Sequence, residues 1–520
     1  MNNIFMMTKW QLVFFAAYFW ISPHFSHAAS KPNIIFILVD DMPWWGTSVP
    51  QKENDPRSTS AFRVTPHVER LAQKGMTFSN AYAAAGMCAP SRTSIQTGLS
   101  PARHLFSGNS NFGESSSSEV TYEVKRKNRA AYLVEPSPLG SLNPKFMTIG
   151  EKLQEQGYAT AHLGKWHVYG GGPSLHGYDV HNGETSNEEG KPTSGIEPDD
   201  PKRIFSMTKE GMEFITNQHK ANKPFYVQLS HYVEHNKQMS LENTLAEFEK
   251  IEAVAAIGEG KNFKEASTHG AAVKDLDTSV GMLLDHLEKL GITDRTYVVF
   301  TSDNGKDLYN GKDSILRGDK WWLWEAGIRV PFIVAGPDIP GATYSSHNIV
   351  NYDLLPTFYE MAGGDPASLG DQVDGKSLLP LFRNQDSSSF EDRSVYFHYP
   401  HLRNSTAHSA VIKGDYKLYT FYEIPDKPQL FNLSEDLGET DNLASKMPEK
   451  AQLLLADLQG YLDRVGAYLP KVNDNADTSK PRFNPDKDAP TIAQRLSQQS
   501  DSLEGSKDKK KNKKKKQQEG

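Results

Sequence analysis

The chain has 520 residues, 57 Lys and Arg against 64 Asp and Glu, a formal net charge of −7 and 37% hydrophobic residues. That length supports one large domain or two with ample core, and the composition excludes a fibrous or wholly disordered chain. The mild acidity gives no footing for nucleic acid, and the single cysteine, Cys88, excludes an intramolecular disulfide.

In chain order, Lys9 precedes an apolar run from Trp10 to Ile21 and a small-residue site at Ser26-His27-Ala28. This is the pattern of a secretory signal peptide over residues 1–28, and the run is short of the ~20 residues a spanning helix needs. Export, to the periplasm or beyond, without a stable membrane anchor is therefore expected. Asn33 to Val39 is a continuous apolar run, as a strand buried on both faces requires, and it ends at Asp40-Asp41. Thr148-Ile-Gly-Glu151 has the spacing of a capping box and opens a helix that Gly157 closes. Further strands are predicted at 158–163, 224–229 and 296–301, the last leading into Asp303-Asn304. A helix carrying Leu276, Val280, Leu283, Leu284 and Leu287 falls between the last two.

Strands alternating with helices indicate an α/β domain over residues 31–385, with a mostly parallel central sheet sandwiched by helices. The short polar and apolar pieces around Ala410 to Tyr419 read as antiparallel hairpins. A smaller α+β subdomain is therefore placed at 390–470, ending in a helix at 450–465. Residues 471–520 are polar, and Lys507 to Lys516 is nearly all lysine, which reads as a disordered tail.

Gly370 to Ser377 matches the phosphate-loop pattern G-x-x-x-x-G-K-[ST], but no strand precedes it and Pro380 interrupts the segment after it, so no nucleotide site is expected. Ser94 stands where a tyrosine-phosphatase loop built on Cys88 would need arginine. Asp40-Asp41 and Asp303-Asn304 each follow a predicted strand, and in parallel α/β sheets ligands gather at the carboxyl ends of strands. Four oxygen side chains meeting there would favour calcium or magnesium over zinc, although either pair alone is more often a cap or a turn. Cys88 lies just before Pro90, a residue favoured at the first helical position, and so at a helix N-terminus that suits an anion.

Cys88-Ala-Pro90-Ser91-Arg92, followed by Thr97-Gly98, resembles the first signature of the type I sulfatases, C-x-P-S-R. Gly157 to His167 resembles the second. Asn33 to Asp41, Thr301 to Gly305, Arg317-Gly-Asp-Lys320, Glu325 to Pro331, Asp353 to Thr357 and Leu430 to Leu443 follow in family order, so the likeness runs from Lys31 to Val465. It points to the formylglycine-dependent sulfatases of the alkaline-phosphatase-like superfamily. The resemblance implies that a maturation enzyme converts Cys88 to Cα-formylglycine, whose hydrate attacks sulfur and carries the sulfate covalently. It further implies calcium held by Asp40, Asp41, Asp303 and Asn304 beside residue 88, with Asp303 also taking the nucleophile's proton. Arg92 and Lys165 would be fixed cations, Lys320 a contact to the sulfate and the leaving oxygen, and His167 the base that restores the aldehyde. A proline-histidine pair commonly supplies the general acid. Here His231 and His235 share that stretch, Glu234 stands where proline is usual, and His235 is preferred by position.

The substrate expected from the resemblance is a sulfated saccharide. Trp44 and Trp45 follow the Asp pair, and Trp321 and Trp322 follow Lys320; aromatic rings there can stack on a sugar or pack in the core, and Trp44 and Trp321 are expected at the rim. Phe397 to Arg403 resembles the segment with which several carbohydrate sulfatases reach the sugar, which makes His398, His401 and Arg403 candidates. The alternatives are a phosphonate or phosphate ester hydrolase of the same superfamily and a catalytically silent binder of sulfated glycans.

Overall fold

The apolar run that ends at Asp40 forms β1 (Asn33–Val39), and its lack of alternation has a simple cause. Ile34, Phe36 and Leu38 enter one buried cluster, and Ile35, Ile37 and Val39 enter another on the opposite face. The structure is a computed structural model, and it describes residues 31–60, 62–108, 120–123, 132–191, 195, 197–255, 261–305, 315–385, 387–477, 479 and 482–485. The expected signal peptide lies outside the described residues.

Seven further strands join β1: β2 (Gly75–Phe78), β3 (Ala159–Gly164), β4 (Val180–His181), β5 (Phe225–Ser230), β6 (Thr296–Ser302), β7 (Phe332–Ala335) and β8 (Thr343–Ser345). Among the described residues they form an eight-stranded sheet in the order β8-β2-β7-β6-β1-β5-β3-β4. β1 runs parallel to β5 and β6, and β3 runs parallel to β5 and β4. β7 is antiparallel to β6 and β2. The carboxyl ends of β1, β3, β5 and β6 therefore open on one edge.

Helices cover both faces, as expected. On one face lie α1 (Pro66–Gln73), α4 (Ile204–Lys220) and α5 (Lys261–Leu290), which bury Leu71, Phe214, Leu276, Val280, Leu283 and Leu287 among others. On the other lie α2 (Cys88–Thr97), α3 (Ile149–Glu155) and α6 (Leu354–Met361), contributing Ile95, Leu153, Leu354 and Phe358. The capping box at α3 is made in both directions: Thr148 Oγ1 accepts from the Glu151 N–H, and Glu151 accepts from the Thr148 N–H at 2.8 Å.

A second, antiparallel sheet runs in sequence order through β9 (Ser394–Tyr399), β10 (His408–Lys413), β11 (Tyr416–Phe421) and β12 (Gln429–Asn432). One face packs on α7 (Pro448–Val465) through Leu454, Leu458 and Leu462, and the other meets Trp322, Leu323 and Trp324. Beneath that contact Lys417 is fully buried, with Nζ 2.6 Å from Glu325 and 3.3 Å from Glu439, while Arg329 also holds Glu325 at 2.5 Å. Removing one member of such a group leaves a buried charge uncompensated. Lys417→Met is expected to lower stability by about 3–5 kcal/mol in thermal unfolding, and a loss under about 1 kcal/mol would show that the charges are not mutually dependent.

Two expectations need correction. The tail does not lose order at residue 471: Lys471–Val472 pairs antiparallel with Leu133 and Val134, and Phe483 is buried beside Phe421 (5.1 Å) and Trp322 (5.8 Å). The Pro485 carbonyl then accepts from buried Arg317 at 2.9 Å. One aromatic anchor in a polar stretch is enough to dock it, and the lysine-rich run lies outside the described residues. Secondly, α2 starts at Cys88 itself with Met87 as its cap, so Pro90 is the third helical residue, not the first. The phosphate-loop match begins on a short 3-10 turn, Pro366–Gln372, and its lysine is engaged elsewhere, with Lys376 Nζ bonded to the Ser389 carbonyl. Among the described residues no helix is long and apolar enough to cross a membrane.

Candidate active site

Asp40 and Asp41 follow the last residue of β1, and Asp303 and Asn304 come directly after β6, its parallel neighbour. Register brings the two pairs together. The Asp303 N–H donates to the Val39 carbonyl at 3.0 Å, the Asp41 N–H to Asp303 Oδ1 at 3.1 Å, and Asn304 Nδ2 to Asp41 Oδ1 at 2.8 Å. All four side chains are buried. Asp40, Asp41, Asp303 and Cys88 each present a ligand atom within 4.8 Å of the others, and Cys88 Sγ lies 3.6 Å from Asp41 Oδ1.

The cations come from three other elements. Arg92, one turn after Cys88 on α2, reaches Asp303 Oδ2 and the Lys165 carbonyl, both at 2.7 Å. Lys165 follows β3 and places Nζ 2.6 Å from Asp40 Oδ2. Gly164 before it has φ +89° with the β5 backbone so close that a Cβ would meet the Ser230 carbonyl oxygen at 2.2 Å, so only glycine permits this turn. Lys320 lies 2.5 and 2.7 Å from the two Asp41 oxygens. Its loop is tied to the approach to α2 by the Trp321 N–H, which donates to Gly86 at 2.7 Å. Gly86 packs so tightly on Trp322 that a side chain there would strike backbone.

These charges set the protonation states. Burial pushes the Asp40 carboxyl up, but Lys165, His235, Arg92 and Lys320 outweigh it and hold it well below the usual carboxylate range. For Asp303 burial wins over Arg92 and raises it to about 6. Burial pushes the Cys88 thiol well above its ordinary value despite the nearby lysines, so at neutral pH it is protonated and unreactive. Burial, then Lys165 and Arg92, hold His167 well below the usual histidine range, and its Nδ1 is buried with no hydrogen-bond partner. Burial and then Lys320 draw His235 down to about 4.

Of the two histidines proposed for the acid, His235 offers a ring nitrogen within 4.8 Å of ligand atoms of Asp41 and Cys88. His231 is buried outside that cluster, and burial draws it down to about 3.

The rim fares less well. Trp44 is fully buried against Leu316, Ala326 and Leu437, with the Arg329 guanidinium 5.3 Å from its ring, so it belongs to the core. His398 is a buried hairpin histidine bonded to Ser409 Oγ (2.7 Å) and the Tyr468 carbonyl (3.2 Å), which removes it from sugar contact. His401 is likewise buried, with Nε2 2.9 Å from Ser107 Oγ and Nδ1 3.7 Å from Glu135. Trp321 and Arg403 do meet, half-buried, with the guanidinium 5.2 Å from the ring centroid. Sequence reading missed Glu325 as the partner of Lys417, although its i,i+4 spacing to Arg329 signals one of its two ion pairs.

The family profile described as Sulfatase matches residues 32–364, and one described as N-sulphoglucosamine sulphohydrolase, C-terminal, matches residues 317–465. An N-acetylgalactosamine-6-sulfatase of Mus musculus is 28% identical over 430 residues, covering 75% of this chain and 72% of that protein. A sulfatase of Formosa agariphila is 26% identical over 505 residues, covering 82% and 87%. Among solved structures, Ps i-CgsB in complex with k-i-k-neocarrahexaose has a TM-score of 0.66 at 22% identity, over 83% of this chain and 93% of that one. The phosphonate monoester hydrolase of Agrobacterium radiobacter shares the fold at a TM-score of 0.58 and 16% identity, over 88% and 100%. With the profile matched over well above half its length, and the acidic pairs, cysteine and cations of the signatures brought to one edge of the sheet, this chain belongs to the sulfatase family and is a sulfuric ester hydrolase.

Proposed function

We propose that the chain hydrolyses O-sulfate esters on a saccharide, using formylglycine formed from Cys88 and a calcium ion. The observation that carries this reading is the state of Cys88: a buried, protonated thiol is a poor nucleophile, yet it stands among Asp41, Arg92, Lys165 and Lys320. As the precursor of an aldehyde it makes sense there. The donor set fits a hard cation, because Asp40 Oδ1 and Asn304 Oδ1 are buried without hydrogen-bond partners, and the group that joins Asp40, Asp41 and Asp303 to residue 88 offers carboxylate oxygens. Asp40, Asp41, Asp303 and Asn304 would hold it, and when bound it supplies positive charge to the sulfate oxygens and acidifies the hydrate at residue 88.

The chain's own groups do the rest. Asp303, raised to about 6, is poised to accept the nucleophile's proton at its carboxylate. Lys165, Arg92 and Lys320 are fixed in advance by their ion pairs, so they stabilise developing charge without reorganising. His167 is neutral, and its unpartnered Nδ1 can take the proton released as residue 88 returns to the aldehyde. His235 donates to the leaving oxygen once the bound anion beside its ring has raised its proton affinity.

A sugar substrate is supported by the N-acetylgalactosamine-6-sulfatase relatives and by the half-buried Trp321–Arg403 pair beside Lys320. Arg403 comes from the β9–β10 connection, within the segment taken as a subdomain at 390–470. Export and the action of a maturation enzyme on Cys88 belong to the same proposal. The test is sulfate release across a panel of sulfated mono- and oligosaccharides, with 4-nitrophenyl sulfate and phenylphosphonate as controls. Turnover of a sugar sulfate supports the reading, and turnover of the phosphonate alone overturns it. Trp321→Ala and Arg403→Ala should each raise KM about tenfold with kcat little changed, given roughly 1–2 kcal/mol for a lost stacking or cation–π contact. Trp44→Ala should lower Tm instead.

A further inference from the structure

The turn that carries His235 is held by a carboxylate standing where the family commonly has proline. Glu234 is fully buried, and its Oε2 lies 2.5 Å from Arg63 Nη2, itself buried, in the stretch before α1. Arg63 also donates through Nη1 to the His269 carbonyl on α5 at 3.2 Å, and His269 Nδ1 lies 3.5 Å from the same Glu234 oxygen. One carboxylate thus joins three segments far apart in sequence. On its backbone side, the Glu234 N–H donates to the Asp40 carbonyl, the Asp40 N–H donates to the Val233 carbonyl at 2.7 Å, and the His231 N–H donates to Leu38 at 2.8 Å. Gln238 closes the turn by donating to the Glu234 carbonyl. Glu234 is not among the ligand atoms that gather around Cys88, whereas His235 is, so the pair acts through its neighbour.

We infer that Glu234, clamped by Arg63, is a positioning residue that fixes the His235 ring against the reacting centre. The inference rests on His235 being the proton donor. A fixed donor matters where the leaving oxygen is a poor leaving group and matters little where it is a good one, because proton donation contributes roughly 10²–10⁴-fold only when the departing oxygen needs it. A merely structural carboxylate would instead lower all turnover together.

The test uses the full, matured chain with Glu234→Gln, Glu234→Ala and His235→Ala, assayed on 4-nitrophenyl sulfate and on the sulfated sugar that the panel identifies. Crystal structures of both Glu234 variants accompany the kinetics. The expected result is a fall in kcat on the sugar sulfate of about tenfold for Glu234→Ala and less for Glu234→Gln, which keeps a neutral acceptor for Arg63, with under about twofold change on the aryl ester. The crystal structures should show the 231–236 turn displaced in Glu234→Ala. If His235→Ala loses both substrates equally, the assignment of the donor fails. If His235→Ala discriminates and the Glu234 variants do not, or if their turn is unmoved, the positioning role alone is overturned.

Discussion

Cys88→Ala is expected to fold and to lose sulfate release by about 10⁴-fold or more, the scale on which removal of a covalent nucleophile acts. Cys88 is buried at the first position of α2, 3.6 Å from Asp41 and surrounded by three cations. Those cations favour a thiolate, but burial outweighs them and the thiol keeps its proton. A thiol mechanism would need the opposite balance, as reactive cysteines have. Conversion to an aldehyde would remove the difficulty, since its hydrate would supply an oxygen nucleophile. Cys88→Ser should be nearly as inactive, because a serine ester of sulfate has no aldehyde to collapse to. In active enzyme, the tryptic peptide ending at Arg92 should be lighter by roughly 18 Da than its unmodified form, the difference between CH₂SH and CHO. Full activity with an unmodified thiol would remove this mechanism.

Local pattern carried much of the fold. The strand at 33–39 was legible because a strand buried on both faces has no polar alternation, and the capping box at Thr148 because its partners are three residues apart. The acidic pairs were legible because strand ends in a parallel sheet share an edge, and the signatures supplied the cations. What stayed hidden depends on partners distant in sequence. Arg63 and Glu234 are 171 positions apart, and nothing near either residue announces the other. Trp44 and Trp321 flank motifs in the same way, yet one is fully buried and the other half-buried. His398 looked available until Ser409, opposite it across the β9–β10 pair, accounted for its ring. The docking of Phe483 depended on a slot between two aromatic rings that form only when the second sheet meets the 322–324 segment.

Calcium removal is the second result with a large expected effect. Asp40, Asp41 and Asp303 contact Lys165, Lys320 and Arg92, three carboxylates against three cations, and His235 is neutral, so these side chains balance to zero. Zero net charge gives an anionic ester little reason to leave water for a buried site. A divalent cation held among the four oxygen side chains would make the site net positive, which would favour the sulfate ester and, equally, free sulfate. Stripping with EGTA should therefore weaken inhibition by inorganic sulfate and raise KM for the ester together, along with a loss of kcat. It should also lower Tm, since a ligand held only by the folded state stabilises by about 2.7 kcal/mol at a hundredfold excess over Kd. Added calcium should restore all four readings, and Asp303→Asn should blunt the Tm response. Sulfate inhibition and Tm that ignore EGTA, in protein shown by elemental analysis to be metal-free, would mean that the acidic pairs serve only to hold Lys165, Lys320 and Arg92 in place.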